Sequence, residues 1–203
     1  MKKKTVIFFI LAANLTFACP LRAEDGEGKI LKSIEFLAGY DWGYLLSRNW
    51  YKIHEDKRLY SDFPLMVDFD FDLKYLTRKI NFNPAPLLEF QVEPFAAYVR
   101  EPDPNAEAGL NFFIKCGILP ESSKLQPYLK AGLGLLYMTQ HTREQSTQFN
   151  FTEAAGCGIH YFLWENTAFT VEGRFRHISN AGVRKPNHGI NTYSCLIGIC
   201  REF

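Results

Sequence analysis

Polarity alternates along most of this chain, and the clearest run lies between Leu65 and Leu73. Leu65, Val67, Phe69, Phe71 and Leu73 share one parity, and Asp68, Asp70 and Asp72 share the other. Successive strand side chains point to opposite faces, so this is a strand with one apolar and one acidic face. Three aspartates cannot sit in a dry core without partners. A polar lumen backed by lipid satisfies them, and so does a half-exposed strand of a soluble sandwich.

The same period recurs in both directions. From Ser33, Ile34, Phe36, Ala38, Tyr40 and Trp42 share a face. Residues 44–62 are mixed and charged and read as a long loop, and 75–85 read as a turn region ending at Asn83-Pro84. Leu88, Phe90 and Val92 then alternate with Glu89, Gln91 and Glu93, and Pro94 predicts a bulge or bend. Beyond a loop at 100–106 come Leu110, Phe112, Ile114, Cys116 and Ile118, and beyond the turn at 120–123 come Leu129, Ala131, Leu133 and Leu135. A polar loop at 139–147 leads to a glycine-bearing strand, Phe149 to Phe162, and a turn near Glu165-Asn166. A seventh strand runs to about Ser179, and an eighth from Ile190 to Phe203 carries Tyr193, Cys195, Ile197 and Ile199 on one face.

Eight strands of ~10–14 residues, with no helical period among them, predict an all-β fold that closes into a small barrel filled by its own side chains. The expected architecture over residues 33–203 is an eight-stranded antiparallel transmembrane β-barrel of the bacterial outer membrane. Gly132, Gly134, Gly156 and Gly158 suit the close packing of a narrow barrel, and the terminal Phe203 resembles the end signature of outer-membrane proteins.

The first residues support that placement. Lys2, Lys3 and Lys4 precede an apolar stretch from Val6 to Ala13, and Ala23 offers a small residue before a cut. This predicts a signal peptide over 1–23 and a barrel domain over 24–203. A lipoprotein signal with Cys19 acylated is the alternative, although Thr16 and Phe17 make a poor lipobox. The whole chain has 23 basic and 22 acidic residues; removing Lys2, Lys3, Lys4 and Arg22 leaves 19 against 22, which gives nucleic acid no basic surface. Cys116, Cys157, Cys195 and Cys200 fall within predicted strands and read as small apolar strand residues. There is no C-x-x-C pair and the five histidines lack ligand spacing, so neither a metal nor a cofactor is expected.

Candidate chemistry sits at the end of the seventh strand, in RFRHISNAGVRKPNHGIN, residues 174–191. Phe169, Val171, Phe175, His177 and Ser179 share one face; Glu172, Arg174 and Arg176 share the other. The charged face belongs to the lumen, where Arg174 and Arg176 are expected to pair with Asp68, Asp70, Asp72 or Glu172. A base and a nucleophile therefore lie on the lipid-facing side. His177 can deprotonate Ser179 for attack on an ester. Asn191 begins the eighth strand with the parity of Tyr193, so it can lie beside His177 and accept the imidazole N–H as the orienting third group. Asn180 and the amides near Gly182 can supply oxyanion donors. With both termini periplasmic, odd strands run outward and this pair meets the outer leaflet.

HISNAG followed by PNHGIN resembles the lipid A 3-O-deacylase (PagL) family. The resemblance is dense over 174–194 and looser over 85–162, including LEFQVEPFAAYV and QFNF. It implies an eight-stranded outer-membrane barrel that removes an ester-linked acyl chain from lipid A. It also implies that His177 is the base and Ser179 the nucleophile, with Asn180 and the Gly182 amide as the oxyanion hole. The family pattern has a glutamate as third triad member where this chain has Asn191. The reading is thus an outer-membrane serine esterase acting on the acyl chains of lipopolysaccharide, with a homodimer left open. A catalytically silent barrel with a lipid-binding or structural role is the alternative, and a narrow pore is a third.

Overall fold

The structure, a computed structural model, describes residues 30–45, 59–140 and 146–203. The expected signal peptide over 1–23, with Cys19, and Trp50 and Arg143 lie outside the described residues.

Eight antiparallel strands close on themselves in sequence order. They are β1 (Leu31–Leu45), β2 (Leu59–Asp72), β3 (Pro86–Glu101), β4 (Asn105–Pro120), β5 (Leu125–Met138), β6 (Phe149–Trp164), β7 (Thr167–Ser179) and β8 (Ile190–Glu202). β8 returns to β1, with Glu35 opposite Cys200 and Trp42 opposite Tyr193. Among the described residues the helical structure is a short α1 (Lys74–Thr77) and a 3₁₀ turn over Arg78–Ile80, both in the β2–β3 connection. No described helix is long and apolar enough to cross a membrane. A closed sheet is the other structure that satisfies every backbone group within lipid.

Burial follows the alternation. On β7, Ala168, Thr170, Glu172, Arg174, Arg176 and Ile178 are buried, while Phe169, Val171 and Phe175 are exposed. Asp68 and Asp70 point inward and are fully buried, and Val67, Phe69 and Phe71 point outward. Asp72, at the strand end, instead accepts the Lys74 N–H at 2.7 Å.

Most of the enclosed charges are paired. Arg174 donates to both oxygens of Glu93 at 2.7 Å each, and its Nε donates to Glu172 at 2.8 Å. Arg176 donates to Glu107 at 2.5 Å and to Asp62 at 2.8 Å, with Asp41 at 3.3 Å. The aspartates of β2 take other partners than those expected. Lys115 reaches Asp70 at 2.8 Å, and Gln91 bridges Asp68 and Asp70 at 2.8 and 2.9 Å. Of the expected arginine partners, Glu172 alone is used. The reason is register: Arg174 and Arg176 lie higher in the barrel than Asp68 and Asp70 and meet the carboxylates at their own level. These side chains fill the lumen, which disfavours a pore.

Two local expectations fail. Leu59 to Asp62 belong to β2 rather than to a loop; Tyr60 and Asp62 face inward, where the Tyr60 hydroxyl donates to Glu107 at 2.7 Å. Both faces of this stretch mix polar and apolar residues, so alternation was invisible there. Pro94 makes no bulge: the β3–β4 register is unbroken from Glu93 opposite Asn111 to Phe95 opposite Gly109. Irregular pairing occurs instead near the strand ends, as between Ser61 and Asp62 against β3.

Gly158 is the clearest case of a close approach, because a Cβ there would lie 2.4 Å from the Tyr128 ring and hydroxyl. The four described cysteines are free thiols; Cys116, Cys157 and Cys195 face outward and Cys200 inward.

Removing Arg176 leaves three buried carboxylates without their shared cation. Breaking a buried ion pair costs ~3–5 kcal/mol. Arg176→Leu is therefore expected to lower the urea midpoint of the folded barrel, read as the heat-modifiable band on unboiled gels. The exposed loop substitution Arg184→Leu should leave it unchanged.

Candidate active site

β7 and β8 bring His177 and Asn191 into register as direct partners. His177 Nδ1 lies 2.5 Å from Asn191 Oδ1. An amide oxygen only accepts, so Nδ1 carries the proton and Nε2 is left with its lone pair. This is the tautomer a general base requires. Both side chains are half-buried on the outer face, as is Ser179 two residues further along β7. Ser179 Oγ accepts the Ala181 N–H at 3.4 Å and makes no hydrogen bond to the imidazole. Catalytic hydrogen bonds are often long without substrate and tighten when it binds.

The β7–β8 connection is tied down by Asn180, which is 1% exposed. Its Oδ1 accepts the Gly182 N–H at 3.0 Å, and its Nδ2 donates to the Arg184 carbonyl at 2.8 Å and to Ser146 Oγ at 3.2 Å. Its own N–H donates to Asn187 Oδ1 at 2.9 Å. Ala181 and Gly182 both have positive φ, 52° and 77°. Asn180 and Gly182 are thus beside the serine, bonded to each other.

Gly189 closes the loop against the imidazole. Its φ is +84°, and a Cβ there would lie 2.5 Å from His177 Cε1 and 3.2 Å from Nε2. Both the backbone conformation and the space require glycine. Pattern reading passes over this residue, since a lone glycine before a strand signals only a turn.

A second missed residue is Glu153. It is the β6 partner of His177, exposed on the outer face. Lipid-facing strand positions are apolar as a rule, and a charge there costs free energy that rises with depth. Its outward parity among Phe149, Phe151 and Ala155 was the available signal. His177 therefore has an amide on one side and a carboxylate on the other.

One residue pair towards the termini, Ala131, Ala155, Phe175, Tyr193 and Trp42 form the next outward row from β5 round to β1. Its small residues leave a groove of about 490 Å³ that runs past Glu153 and His177 over Ala131 and Ala155. The aromatic residues continue the row: Phe175 and Tyr193 centroids are 5.4 Å apart and Trp42 and Tyr193 6.4 Å, and Tyr40, two residues along β1, stacks on Trp42 at 6.2 Å. Such rows form the girdles of barrels at membrane interfaces.

The sequence profile described as "Lipid A 3-O-deacylase (PagL)" matches residues 38–199, most of the chain. The chain belongs to the PagL family. Membership and fold together place it in the outer membrane among lipid A deacylase-like proteins. Solved structures agree on the fold. The outer membrane enzyme PagL aligns with a TM-score of 0.58 at 17% identity, over 82% of this chain and 97% of that one. Neisserial surface protein A (NspA) aligns with a TM-score of 0.59 at 12% identity, over 85% and 97%. OprG from Pseudomonas aeruginosa aligns with a TM-score of 0.50 at 14% identity, over 88% and 99%. A comparison with curated protein sequences returns no match.

In this PagL-family barrel, Gly189→Ala should displace the imidazole while leaving the ladder intact. The expected result is at least a tenfold fall in ester hydrolysis with unchanged heat modifiability. A parent-like rate in the folded variant would show that the contact with Gly189 does not position His177.

Proposed function

We propose that the protein is a serine esterase that hydrolyses an ester-linked acyl chain of lipid A in the outer leaflet. The observation that carries this reading is the His177–Asn191 hydrogen bond across β7 and β8, with Ser179 on the same lipid-facing surface. Ser179 Oγ attacks the ester carbonyl as its proton passes to His177 Nε2. The tetrahedral intermediate collapses, the sugar oxygen takes that proton, and an acyl-serine remains. Water, deprotonated in turn by Nε2, releases the fatty acid and restores the serine.

Asn180 and Gly182 are the proposed oxyanion donors. The Gly182 N–H now rests on Asn180 Oδ1, so it serves the oxyanion once that bond lengthens. The groove over Ala131 and Ala155 is the proposed seat of the acyl chain, since a lipid-facing trough floored by small residues admits a methylene chain and excludes water. With periplasmic termini, the His177 end of the barrel meets the outer leaflet, where lipid A resides.

Asn191 fixes the ring without offering the charge of a carboxylate. Charge-assisted hydrogen bonds are roughly twice as strong as neutral ones. Glu153, one strand away at about 4.8 Å spacing, supplies a negative charge beside the imidazolium in a medium of low dielectric. The alternative reading, a catalytically silent barrel that binds lipid, is favoured by the amide at position 191 and by the mutual bond of Asn180 and Gly182.

The test is the initial deacylation rate of purified lipid A in detergent, at matched folded concentration. Ser179→Ala should lose ~10³-fold or more, as loss of a nucleophile does. Asn191→Leu should be slower than the parent, Glu153→Gln slower, and Asn191→Glu faster. Absence of turnover in the parent together with turnover in Asn191→Glu would establish the silent reading. Equal rates for the parent and Ser179→Ala would remove Ser179 from the reaction.

A further inference from the structure

At the opposite end of the barrel from His177, three buried side chains of unlike chemistry converge inside the lumen. They are Glu35 on β1, His160 on β6 and Cys200 on β8, and their ligand atoms all lie within 4.8 Å of one another. Register brings them together. Glu35 is the direct β1 partner of Cys200, and Thr170 on β7 is the direct partner of His160. His160 Nδ1 lies 2.8 Å from Thr170 Oγ1 and 3.8 Å from Glu35 Oε1, and its ring stacks on Tyr128 at 4.6 Å.

Asp41 and Glu35 each leave both carboxylate oxygens without a hydrogen-bond partner, but Asp41 lies 3.3 Å from Arg176, whereas among the described residues the one ion-pair contact of Glu35 is His160 at 3.8 Å, so Glu35 is the anomaly. It is completely buried. Buried polar groups are almost always satisfied, and a buried charge is paired or coordinates a metal. Lys115 does not resolve this, because it is held by Asp70 at 2.8 Å and Glu89 at 3.1 Å. Nor does the lumen as a whole: among the described residues, nine buried carboxylates stand against five buried lysines and arginines. Among the described residues the interior is short of positive charge, and Glu35 stands in it with a thiol and an imidazole beside it.

We propose that Glu35, His160 and Cys200 bind a zinc-class divalent cation inside the barrel. Mixed oxygen, nitrogen and sulfur donors are the set that Zn²⁺ accepts, with bonds of ~2.0–2.3 Å. A tetrahedral centre draws such atoms to roughly 3.3–3.6 Å of one another, a small closure from their present spacing. Three protein ligands leave a fourth position for Thr170 Oγ1 or a water. On binding, the Cys200 thiol gives up its proton, so one proton leaves as the cation enters. The cation gives Glu35 a partner, reduces the negative excess and ties β1, β6 and β8 together beside the seam where the barrel closes. The role is structural, and it is independent of the esterase reading.

The test uses the full chain refolded in detergent with Zn²⁺ or Co²⁺, then dialysed and assayed for metal by mass spectrometry. The folded parent should retain about one zinc per chain, and its Co²⁺ form should show a thiolate charge-transfer band in the near ultraviolet. Cys200→Ser and His160→Ala should lose most of the bound metal, whereas Cys116→Ser, which alters a lipid-facing thiol, should keep it. A variant lacking Cys116, Cys157 and Cys195 keeps Cys200 as its last strand thiol, and the same band must persist in it if Cys200 is the ligand. A folded parent that retains no zinc, or a band that vanishes in that triple variant, overturns the proposal. Deacylation rates of the same preparations report on the catalytic reading separately.

Discussion

The neutralisation of charge inside the barrel is the constraint on which the rest of the structure depends. Eight strands enclose a lumen too narrow for bulk water, yet the inward face of nearly every strand carries ionisable groups. β7 shows how one solution serves both faces. Arg174 is clamped by Glu93 and Glu172, and Arg176 by Asp62, Glu107 and Asp41. The residue following each clamped arginine points outward, so the ion pairs that fix Arg176 also fix the backbone that presents His177. The outer site is held from within, by cross-barrel contacts to β2, β3 and β4.

That arrangement explains how the proposed catalytic residues can occupy a surface that otherwise favours inert residues. His177, Asn191 and Glu153 form one row across three adjacent strands, immediately beyond an aromatic row that marks an interface level. Deeper in the hydrocarbon, polar outward groups would be more costly. In the proposed function, their place at the rim lets them meet both an acyl chain lying in the groove and the ester that joins it to a sugar. The loop from Asn180 to Gly189 adds two features to the candidate site: an asparagine that bonds to its own turn, and a glycine whose missing Cβ makes room for the imidazole.

The fold was legible because alternation in a barrel is strict wherever the two solvents differ sharply. Asp68 and Asp70 against Phe69 and Phe71 could be placed from parity alone, and parity also put Asn191 beside His177. Legibility failed where both faces were mixed, as at Leu59 to Asp62, and where a single residue suggested an irregularity that the ladder absorbed, as at Pro94. It failed more completely for convergence across the lumen. Glu35, His160 and Cys200 are far apart in the chain, and no spacing rule unites residues that meet only because the barrel closes. Glu153 was missed for the opposite reason: its parity was visible, but its significance lies in its cross-strand partner.

Deacylation of lipid A by this barrel, as proposed, leaves a direct chemical trace in the membrane. The direct measurement is mass spectrometry of lipid A from outer membranes of cells with and without the protein. Cells carrying it should contain a lipid A species lighter by one ester-linked acyl chain, with the matching free fatty acid released. Identical lipid A from both, with the barrel shown to be folded and abundant in the membrane and also inactive on extracted lipid A in detergent, would contradict the proposal.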